Sequence, residues 1–225
     1  MNTVIPPLEN VIRELAKVRE IFHSEADFQH AVAWELHRCL PSASVTLERP
    51  YRAGSVTLHL DMLVRTADEA LAIELKYKTV KLEHGHSGED YALASQSAQD
   101  VGRYDFIKDV WRLEEITQVI PNCRGWAILL TNDSSYWKAT KRPSTVDAEF
   151  RLPDGGSLQG TRGWGQLASA GTMKNREKPI VLRSNYKLRW ADFSQPTDQR
   201  NGQFRYLGIE VQSRVGPVPP ADESR

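Results

Sequence analysis

The sequence predicts an α/β protein with a mixed central sheet, because three kinds of apolar pattern follow one another along the chain. Apolar residues first recur at helical spacing, before Pro41. Three segments in which apolar and polar residues alternate come next, between residues 44 and 78. A second helical pattern then precedes a nearly continuous apolar run at 125–131, which is typical of a strand buried on both faces. The order helix-strand-strand-strand-helix-strand predicts a mixed sheet flanked by helices, followed by a β-rich C-terminal elaboration.

Two helices are predicted before the first strand. The first runs from Leu8 to about Phe22, with apolar residues three and four positions apart. The second begins after Ser24, which precedes Asp27 by three residues and therefore has the position of an N-cap.

Glu35 lies on the apolar stripe of this second helix, three residues after Val32. A glutamate on the core side of a helix is unusual. Either it sits at the edge of the stripe and reaches water, or it directs a carboxylate at a site on the sheet. Glu25 lies in the first turn of the same helix, where the helix dipole alone explains an acidic residue.

The three alternating segments are joined by short connections and predict an antiparallel meander. In the second of these strands, Asp61 falls on the face opposite the apolar residues. In the third, Glu74 and Lys76 lie side by side on the face opposite the apolar residues. The strands are predicted at 44–52, 56–64 and 71–78.

The segment after the meander is predicted to change from loop to helix. Residues 81–90 are polar and contain two glycines, so a mobile loop is expected, in which His84 and His86 form a candidate pair of metal ligands. A long helix follows from near Asp90 to near Val119, and Gly102 marks a candidate break in it.

Composition excludes several classes of protein. Lysine plus arginine equals aspartate plus glutamate at 29 each, so the chain is not a histone-like basic protein, although a local basic patch can still bind nucleic acid. No apolar run approaches the roughly 18 residues of a membrane span, and the amino terminus lacks a signal-peptide pattern. Cys39 and Cys123 lie in apolar sequence surroundings and are interpreted as buried free thiols, so we expect a cytoplasmic protein without membrane association.

The C-terminal part carries one charged segment of interest. Residues 151–171 are predicted to be mostly loop with a short hairpin, and the proline-containing tail at 213–225 is predicted to be disordered. Between them lies a basic segment that is either a solvated surface or a patch for phosphate contacts. Its six basic residues are Lys174, Arg176, Lys178, Arg183, Lys187 and Arg189.

Asp61 and Glu74 are predicted to lie on neighbouring strands, which are about 4.8 Å apart in a sheet, and on one face of it. Mg²⁺ or Mn²⁺ prefers hard oxygen ligands, which both carboxylates and the backbone carbonyl of Leu75 would supply. Lys76 could then orient or deprotonate an attacking water, or contact a phosphate. Glu35 is a candidate ligand for a second metal.

These residues resemble the motif of the PD-(D/E)XK phosphodiesterase superfamily, which has the restriction-endonuclease-like fold. In that superfamily an Asp on the second core strand precedes an acid-x-Lys on the third, and a Glu on the first core helix often completes the set. Some members of the exonuclease branch carry a Gln and a Tyr five residues apart on the following helix. The matching residues here are Glu35, Asp61, Glu74 and Lys76, and Gln99 and Tyr104 have the spacing of the exonuclease branch.

The resemblance covers roughly residues 25–131, and it implies a single nuclease-like domain over 1–212 with an extension at 134–212. The proline that the family places before the Asp is replaced by Leu60. The implied activity is Mg²⁺- or Mn²⁺-dependent hydrolysis of phosphodiester bonds, in DNA rather than RNA. Cutting both strands of a duplex would favour a homodimer.

Three other interpretations stay open from the sequence. The same fold could serve as a nucleic-acid-binding or accessory module without efficient catalysis. His84 and His86 could belong to a zinc hydrolase, which would hold zinc tightly. Glu74 and Lys76 could form only a surface ion pair on a half-exposed sheet.

Overall fold

The computed structural model describes residues 4–53, 56–140, 142 and 144–213. This part of the chain contains four α-helices, which are α1 (Leu8–Val18), α2 (Glu25–Cys39), α3 (Gln99–Val119) and α4 (Ala170–Met173). The strands before α3 are β1 (Ser44–Ala53), β2 (Val56–Arg65), β3 (Ala70–Lys78), β4 (Leu82–His86) and β5 (Glu89–Leu93). The strands after α3 are β6 (Cys123–Thr131), β7 (Ser157–Arg162), β8 (Ile180–Lys187), β9 (Trp190–Ser194) and β10 (Phe204–Val211). None of the described helices is long and apolar enough to cross a membrane.

Six strands form the central sheet in the order β1-β2-β3-β6-β10-β9. The pair β3–β6 is parallel and the other neighbours are antiparallel, so the sheet is mixed. The predicted α/β class, mixed central sheet and meander β1-β2-β3 are therefore confirmed. The strands after residue 134 are not all peripheral, because β9 and β10 complete the central sheet beyond β6.

The two faces of β3 pack into two different cores, because its side chains alternate between them. One core contains Leu71, Ile73, Leu75 and Tyr77 of β3, together with the apolar stripes of α1 and α2. The other contains Ala70 and Ala72, together with the apolar residues of α3 and of the C-terminal strands. The helices α1 and α2 thus cover one face of the sheet, and α3 covers the other.

The strand β2 leaves β3 halfway along its length. The two strands pair only from Met62 opposite Ile73 to Arg65 opposite Ala70, although β3 continues to Lys78. Glu48, on the facing part of β1, has a positive φ of 49°, which distorts the β1–β2 hairpin next to Asp61. The edge of β3 beyond Ile73 is therefore open to other partners, and this opening positions the candidate site.

The predicted loop at 81–90 is instead the β4–β5 hairpin, which pairs Leu82 with Leu93. Ser87 and Gly88 both have positive φ, at 53° and 83°, as a two-residue turn between twisted antiparallel strands requires. Because β5 occupies the first residues of the predicted long helix, α3 begins at Gln99, and it continues without a break through Gly102.

Other details also differ from the sequence-based predictions. Helix α1 ends at Val18, several residues before Phe22. Cys123 is buried as expected, but Cys39 is exposed at the end of α2. The predicted disordered tail falls almost entirely on residues 214–225, which lie outside the described residues. Ser24 does cap α2, since its side chain accepts a hydrogen bond from the backbone N–H of Asp27.

Candidate active site

Glu74 and Lys76 project from β3 toward α3, on the face opposite Ile73 and Leu75, as the alternation predicts. Glu74 is 1% exposed, and the side chain of Lys76 is 17% exposed. The two residues are therefore not a surface ion pair on a half-exposed sheet. A carboxylate and an ammonium group buried this deeply must be compensated by nearby charges.

Asp61 lies on β2 at the point where this strand separates from β3. Its Oδ2 atom accepts a hydrogen bond from the backbone N–H of Leu75 at 2.7 Å. The carboxylate thereby replaces the ladder partner that β2 would have provided to β3. The backbone carbonyl of Asp61 is also withdrawn from the ladder, because it accepts a hydrogen bond from the Gln29 side chain at 2.7 Å. This pairing places Asp61 beside the acid-x-Lys segment.

Two residues of α3 complete the charged cluster. Lys76 Nζ lies 3.0 Å from Asp109 Oδ2. Arg112 Nη2 lies 3.2 Å from Glu74 Oε1, and Arg112 Nη1 donates to Asp109 Oδ1 at 3.2 Å. Arg112 also donates to the backbone carbonyl of His59 on β2. One arginine thus connects β2, β3 and α3 around the site.

Sequence reasoning missed Asp109 and Arg112, although a signal was present. Asp109 lies three residues after Phe106 and four before Leu113, and all three are buried on α3. An acid on the apolar stripe of a helix is the same kind of signal that drew attention to Glu35. Applied to α3, it identifies Asp109 as a residue facing the sheet.

The cluster contains three carboxylates, from Asp61, Glu74 and Asp109, against two cations. Burial raises the pKa of Glu74 well above its ordinary value, and the nearby charges of Asp109 and Asp61 raise it further. Burial also raises the pKa of Asp109, against the opposing effect of Lys76 and Arg112. The site is therefore short of positive charge.

The pKa of Lys76 is shifted by the same excess of carboxylates. Burial disfavours its charged form, but the carboxylates of Asp109, Asp61 and Glu25 outweigh burial and raise the pKa of the Lys76 ammonium above its ordinary value. Lys76 Nζ also donates to the carbonyl of the adjacent Leu75 at 3.1 Å. Lys76 therefore stays protonated at neutral pH.

Glu25 is a second acid that reaches the open edge of β3. Its Oε2 atom accepts a hydrogen bond from the backbone N–H of Tyr77 at 2.8 Å. Asp61 and Glu25 thus accept from alternate N–H groups of the same strand, those of Leu75 and Tyr77. Interaction with the helix dipole is therefore not the only role of Glu25. Its carboxylate also helps to raise the pKa of the Lys76 ammonium group.

Glu35, by contrast, has other partners. Its carboxylate accepts two hydrogen bonds from Arg38, at 2.9 and 2.5 Å, and one from the Cys39 thiol at 3.5 Å. The bond from Arg38 is the main cause that lowers the pKa of Glu35. Helix α2 packs on the face of β3 that carries Leu75, whereas Glu74 faces α3. The structure therefore does not bring Glu35 into the cluster around Asp61.

Gln99 is also placed apart from Glu74 and Lys76. It lies in the first turn of α3 and donates to Asp133 Oδ2 at 3.1 Å, beyond the carboxyl end of β6. Tyr104 is buried, donates to the backbone carbonyl of Lys178 at 3.2 Å and stacks on Trp164. The contacts of both residues link the start of α3 to later parts of the chain.

The basic segment at 174–190 is partly used within the molecule. Arg176 forms two hydrogen bonds with Asp105 of α3, at 2.8 and 2.9 Å, and Arg183 bonds with Glu115 of the same helix. The remaining four basic residues are exposed, and they are Lys174, Lys178, Lys187 and Arg189.

His84 and His86 lie on β4 with ring centroids 5.9 Å apart. His86 Nε2 contacts Glu20 Oε2 at 3.0 Å. Across the described residues, no three His, Cys, Asp or Glu side chains form a ready-made metal cluster. A zinc site would therefore need ligands beyond the histidine pair and its neighbours.

The donor set around Asp61 and Glu74 does fit a hard divalent cation that keeps part of its water shell. Both carboxylate oxygens of Glu74 are buried without a hydrogen-bond partner, although Arg112 lies within ion-pair distance of one of them. Mg²⁺ is often held by one or two carboxylates and completes its shell with water and phosphate oxygens. Asp61, Glu74 and the Leu75 carbonyl are oxygen donors of this kind.

Comparison with known proteins adds no relative. No protein-family model matches the chain, and no curated protein or solved structure matches it.

Proposed function

We propose that the chain is a metal-dependent phosphodiesterase that hydrolyses nucleic acid, with DNA as its substrate. The observation that carries this proposal is the bond from Leu75 N–H to Asp61 Oδ2, made where β2 leaves β3 and beside the Glu74 carboxylate. This bond aligns an aspartate from one strand with an acid-x-Lys segment on the next. The charge deficit of the cluster supports the proposal, because a divalent cation would compensate it.

Asp61, Glu74 and the backbone carbonyl of Leu75 are the groups that would hold the metal. When bound, Mg²⁺ or Mn²⁺ would acidify a coordinated water and offset negative charge on the phosphoryl oxygens. The protein's own contribution is to hold these oxygen donors rigidly. Asp61 is fixed by the Leu75 N–H, and Glu74 is held between β3 and Arg112 of α3.

Lys76 is assigned a role at the phosphate. Since its pKa is raised, it carries its proton at neutral pH and is poorly suited to deprotonate water. A protonated lysine next to the metal donors would bind a non-bridging phosphate oxygen and stabilise its charge in the transition state. Asp109 positions this lysine from α3 at 3.0 Å.

The fold order supports placing the site in a restriction-endonuclease-like arrangement of the PD-(D/E)XK type. A helix, an antiparallel meander, a second helix and a strand parallel to β3 follow one another in the order of that superfamily. Asp61, Glu74 and Lys76 take the motif positions. We assign the helix-borne acid to Glu25 in place of Glu35, because Glu25 bonds to the β3 edge and Glu35 bonds to Arg38.

A nuclease assay with a matched pair of variants tests the proposal. Supercoiled plasmid and labelled single-stranded DNA are incubated with wild type, Asp61→Asn and Asp68→Asn, in Mg²⁺, in Mn²⁺ and in EDTA. Asp68 is an exposed acid in the turn before β3, so its variant controls for the chemical change. We expect wild type and Asp68→Asn to cut only with metal, and Asp61→Asn to lose about 10²-fold or more. Full cleavage by Asp61→Asn would overturn the assignment.

A second candidate function is a nucleic-acid-binding accessory module. The observation in its favour is the burial of the site, because Glu74 is 1% exposed and forms an ion pair with Arg112. Binding of DNA without metal-dependent cleavage by wild type would support this second function over the first.

A further inference from the structure

A polar cavity of about 490 Å³ lies beyond the carboxyl end of β6 and against the turn that joins β9 to β10. Ligand pockets commonly have volumes of about 300–1,000 Å³ and, in open α/β sheets, lie at the carboxyl ends of the strands. Asn132, which follows β6 directly, and Lys138 form one side of this cavity, and Gln199 and Arg200 form the other. It is separate from the cluster around Glu74.

The lining of this cavity is unlike the chain as a whole. Acids and bases are balanced at 29 each along the chain, yet the described lining contains two cations, Lys138 and Arg200, and no carboxylate. Five side-chain amides line it as well, and they are Asn132, Gln195, Gln199, Asn201 and Gln203. Cations bind phosphates, and amides offer a donor and an acceptor that match the edges of nucleobases.

The cavity wall is hydrogen-bonded to the segment that directly follows β3, the strand that carries Lys76. Asn132 is 2% exposed, accepts from Val80 N at 2.9 Å and donates to the carbonyls of Val80 and Asn201 at 3.2 and 3.0 Å. Val80 lies four residues after Lys76, just beyond the end of β3. The cavity therefore lies at the carboxyl end of β3, the end of the strand that is nearer to Lys76.

The opposite wall is built on a close backbone contact. A Cβ atom at Gly202 would lie 2.0 Å from the carbonyl oxygen of Thr197, so only glycine fits there. This contact holds the turn that carries Gln199 and Arg200. In the described part of the chain, Lys138 and Arg200 take part in no ion pair, and the side-chain amide of Gln199 has no hydrogen-bond partner, although its backbone N–H donates to Thr197 Oγ1.

We infer that this cavity binds one nucleotide of the nucleic-acid strand whose phosphodiester is cut at Asp61 and Glu74. Lys138 and Arg200, which are both exposed, contact the phosphate, and the Gln199 amide bonds to the edge of the base. The inference rests on the proposed function for the identity of the substrate. It adds a binding subsite outside the metal donors and places it at the end of the sheet instead of on the basic segment at 174–190.

Binding of a fluorescein-labelled single-stranded DNA, measured by fluorescence anisotropy in EDTA, tests the subsite without cleavage. The double variant Lys138→Ala/Arg200→Ala is compared with Lys187→Ala/Arg189→Ala, which removes the same charge from the exposed basic segment. We expect the first pair to weaken binding by about tenfold or more. We also expect its slope of log affinity against log salt to become shallower by about 0.7, since the two side chains together neutralise one phosphate of the single strand.

The base contact is tested with Gln199→Ala on the same oligonucleotide and on an abasic one. We expect this variant to weaken binding to the normal strand only. An equal loss in both double variants, a loss confined to Lys187→Ala/Arg189→Ala, or no binding by wild type would overturn the inference. Because the binding assay contains no metal, its result does not depend on cleavage. If wild type bound DNA through Lys138 and Arg200 but did not cut DNA in the nuclease assay, the proposed function would be contradicted and the subsite would still be supported.

Discussion

Asp61 and Leu75 are joined across two strands that have stopped pairing, by a hydrogen bond of 2.7 Å from the Leu75 N–H to the Asp61 carboxylate. Regular pairing of β2 with β3 ends at Met62 opposite Ile73. A side chain thus takes over where the backbone ladder stops, and the strands can separate without leaving the Leu75 N–H unpaired. The result is an open strand edge with a carboxylate fixed upon it, which is where the candidate site forms.

Glu74 is predicted to make the stability of the metal-free protein fall as pH rises. Because burial raises the pKa of Glu74 above its unfolded value, the folded state holds a proton that the unfolded state releases. The free energy of unfolding therefore decreases as pH increases from near the ordinary glutamate pKa through the raised value. In EDTA, we expect Glu74→Gln to flatten this decrease in a series of thermal melts, with a residual slope from Asp109, whose pKa is also raised.

Bound metal should oppose the loss of stability that Glu74 causes as pH rises, because a bound cation favours the ionised carboxylate. We expect Mg²⁺ or Mn²⁺ to raise the melting temperature of wild type more at pH 8 than at pH 5. The Glu74→Gln variant should show little metal-dependent shift at either pH. An equal metal-dependent shift in wild type and variant would show that Glu74 is not a ligand.

The two acids of α2 are predicted to differ in their effect on activity. Glu25 bonds to the β3 edge at Tyr77, and its charge acts on Lys76, whereas Glu35 is neutralised by Arg38. We expect Glu25→Gln to lower the cleavage rate by about 10- to 100-fold, as is usual for groups that orient a metal site. Glu35→Gln should leave the rate within about twofold of wild type. The reverse ranking would restore Glu35 as the helix-borne acid of the motif.

The contrast between these acids shows what the sequence could predict. Helical periodicity placed Glu35 on the buried side of α2, and it is 4% exposed. Periodicity does not say which face of the sheet the helix covers, and α2 covers the face away from Glu74. A local partner, Arg38, three residues later on the same helix, then compensates the buried charge. The burial of Glu35 could therefore be predicted from the sequence, but the face of the sheet that α2 covers could not.

The strand pattern was more informative than the helix pattern, because alternation fixes a residue's face within the strand itself. It placed Glu74 and Lys76 together, and it placed Asp61 on the strand before them. Their partners Asp109 and Arg112 depend on which turn of α3 rests on β3, which is decided by tertiary packing. The divergence of β2 from β3 also could not be predicted, since it involves a distortion of β1 at Glu48.

Gly202 is predicted to be required for the wall of the polar cavity. In Gly202→Ala, the added methyl would clash with the Thr197 carbonyl, and we expect a loss of about 1–3 kcal/mol in the free energy of unfolding. Gly171→Ala is the matched control, because its nearest neighbour, Ser169 Oγ, is 3.9 Å away. Urea denaturation measures the difference. Equal stabilities of the two variants would show that the turn at 197–202 adapts to the added methyl.

Lys76 is predicted to have separate roles in stability and in activity. Lys76→Met leaves Asp109 buried with one partner fewer, and breaking such a buried ion pair removes about 3–5 kcal/mol from the free energy of unfolding. The double variant Lys76→Met/Asp109→Asn removes the unpaired charge as well, so we expect it to regain most of this stability. Cleavage of plasmid DNA should be lost in both variants, because neither has the ammonium group at the phosphate. If the double variant regained cleavage together with stability, Lys76 would be a structural partner of Asp109 and not a group that contacts the substrate.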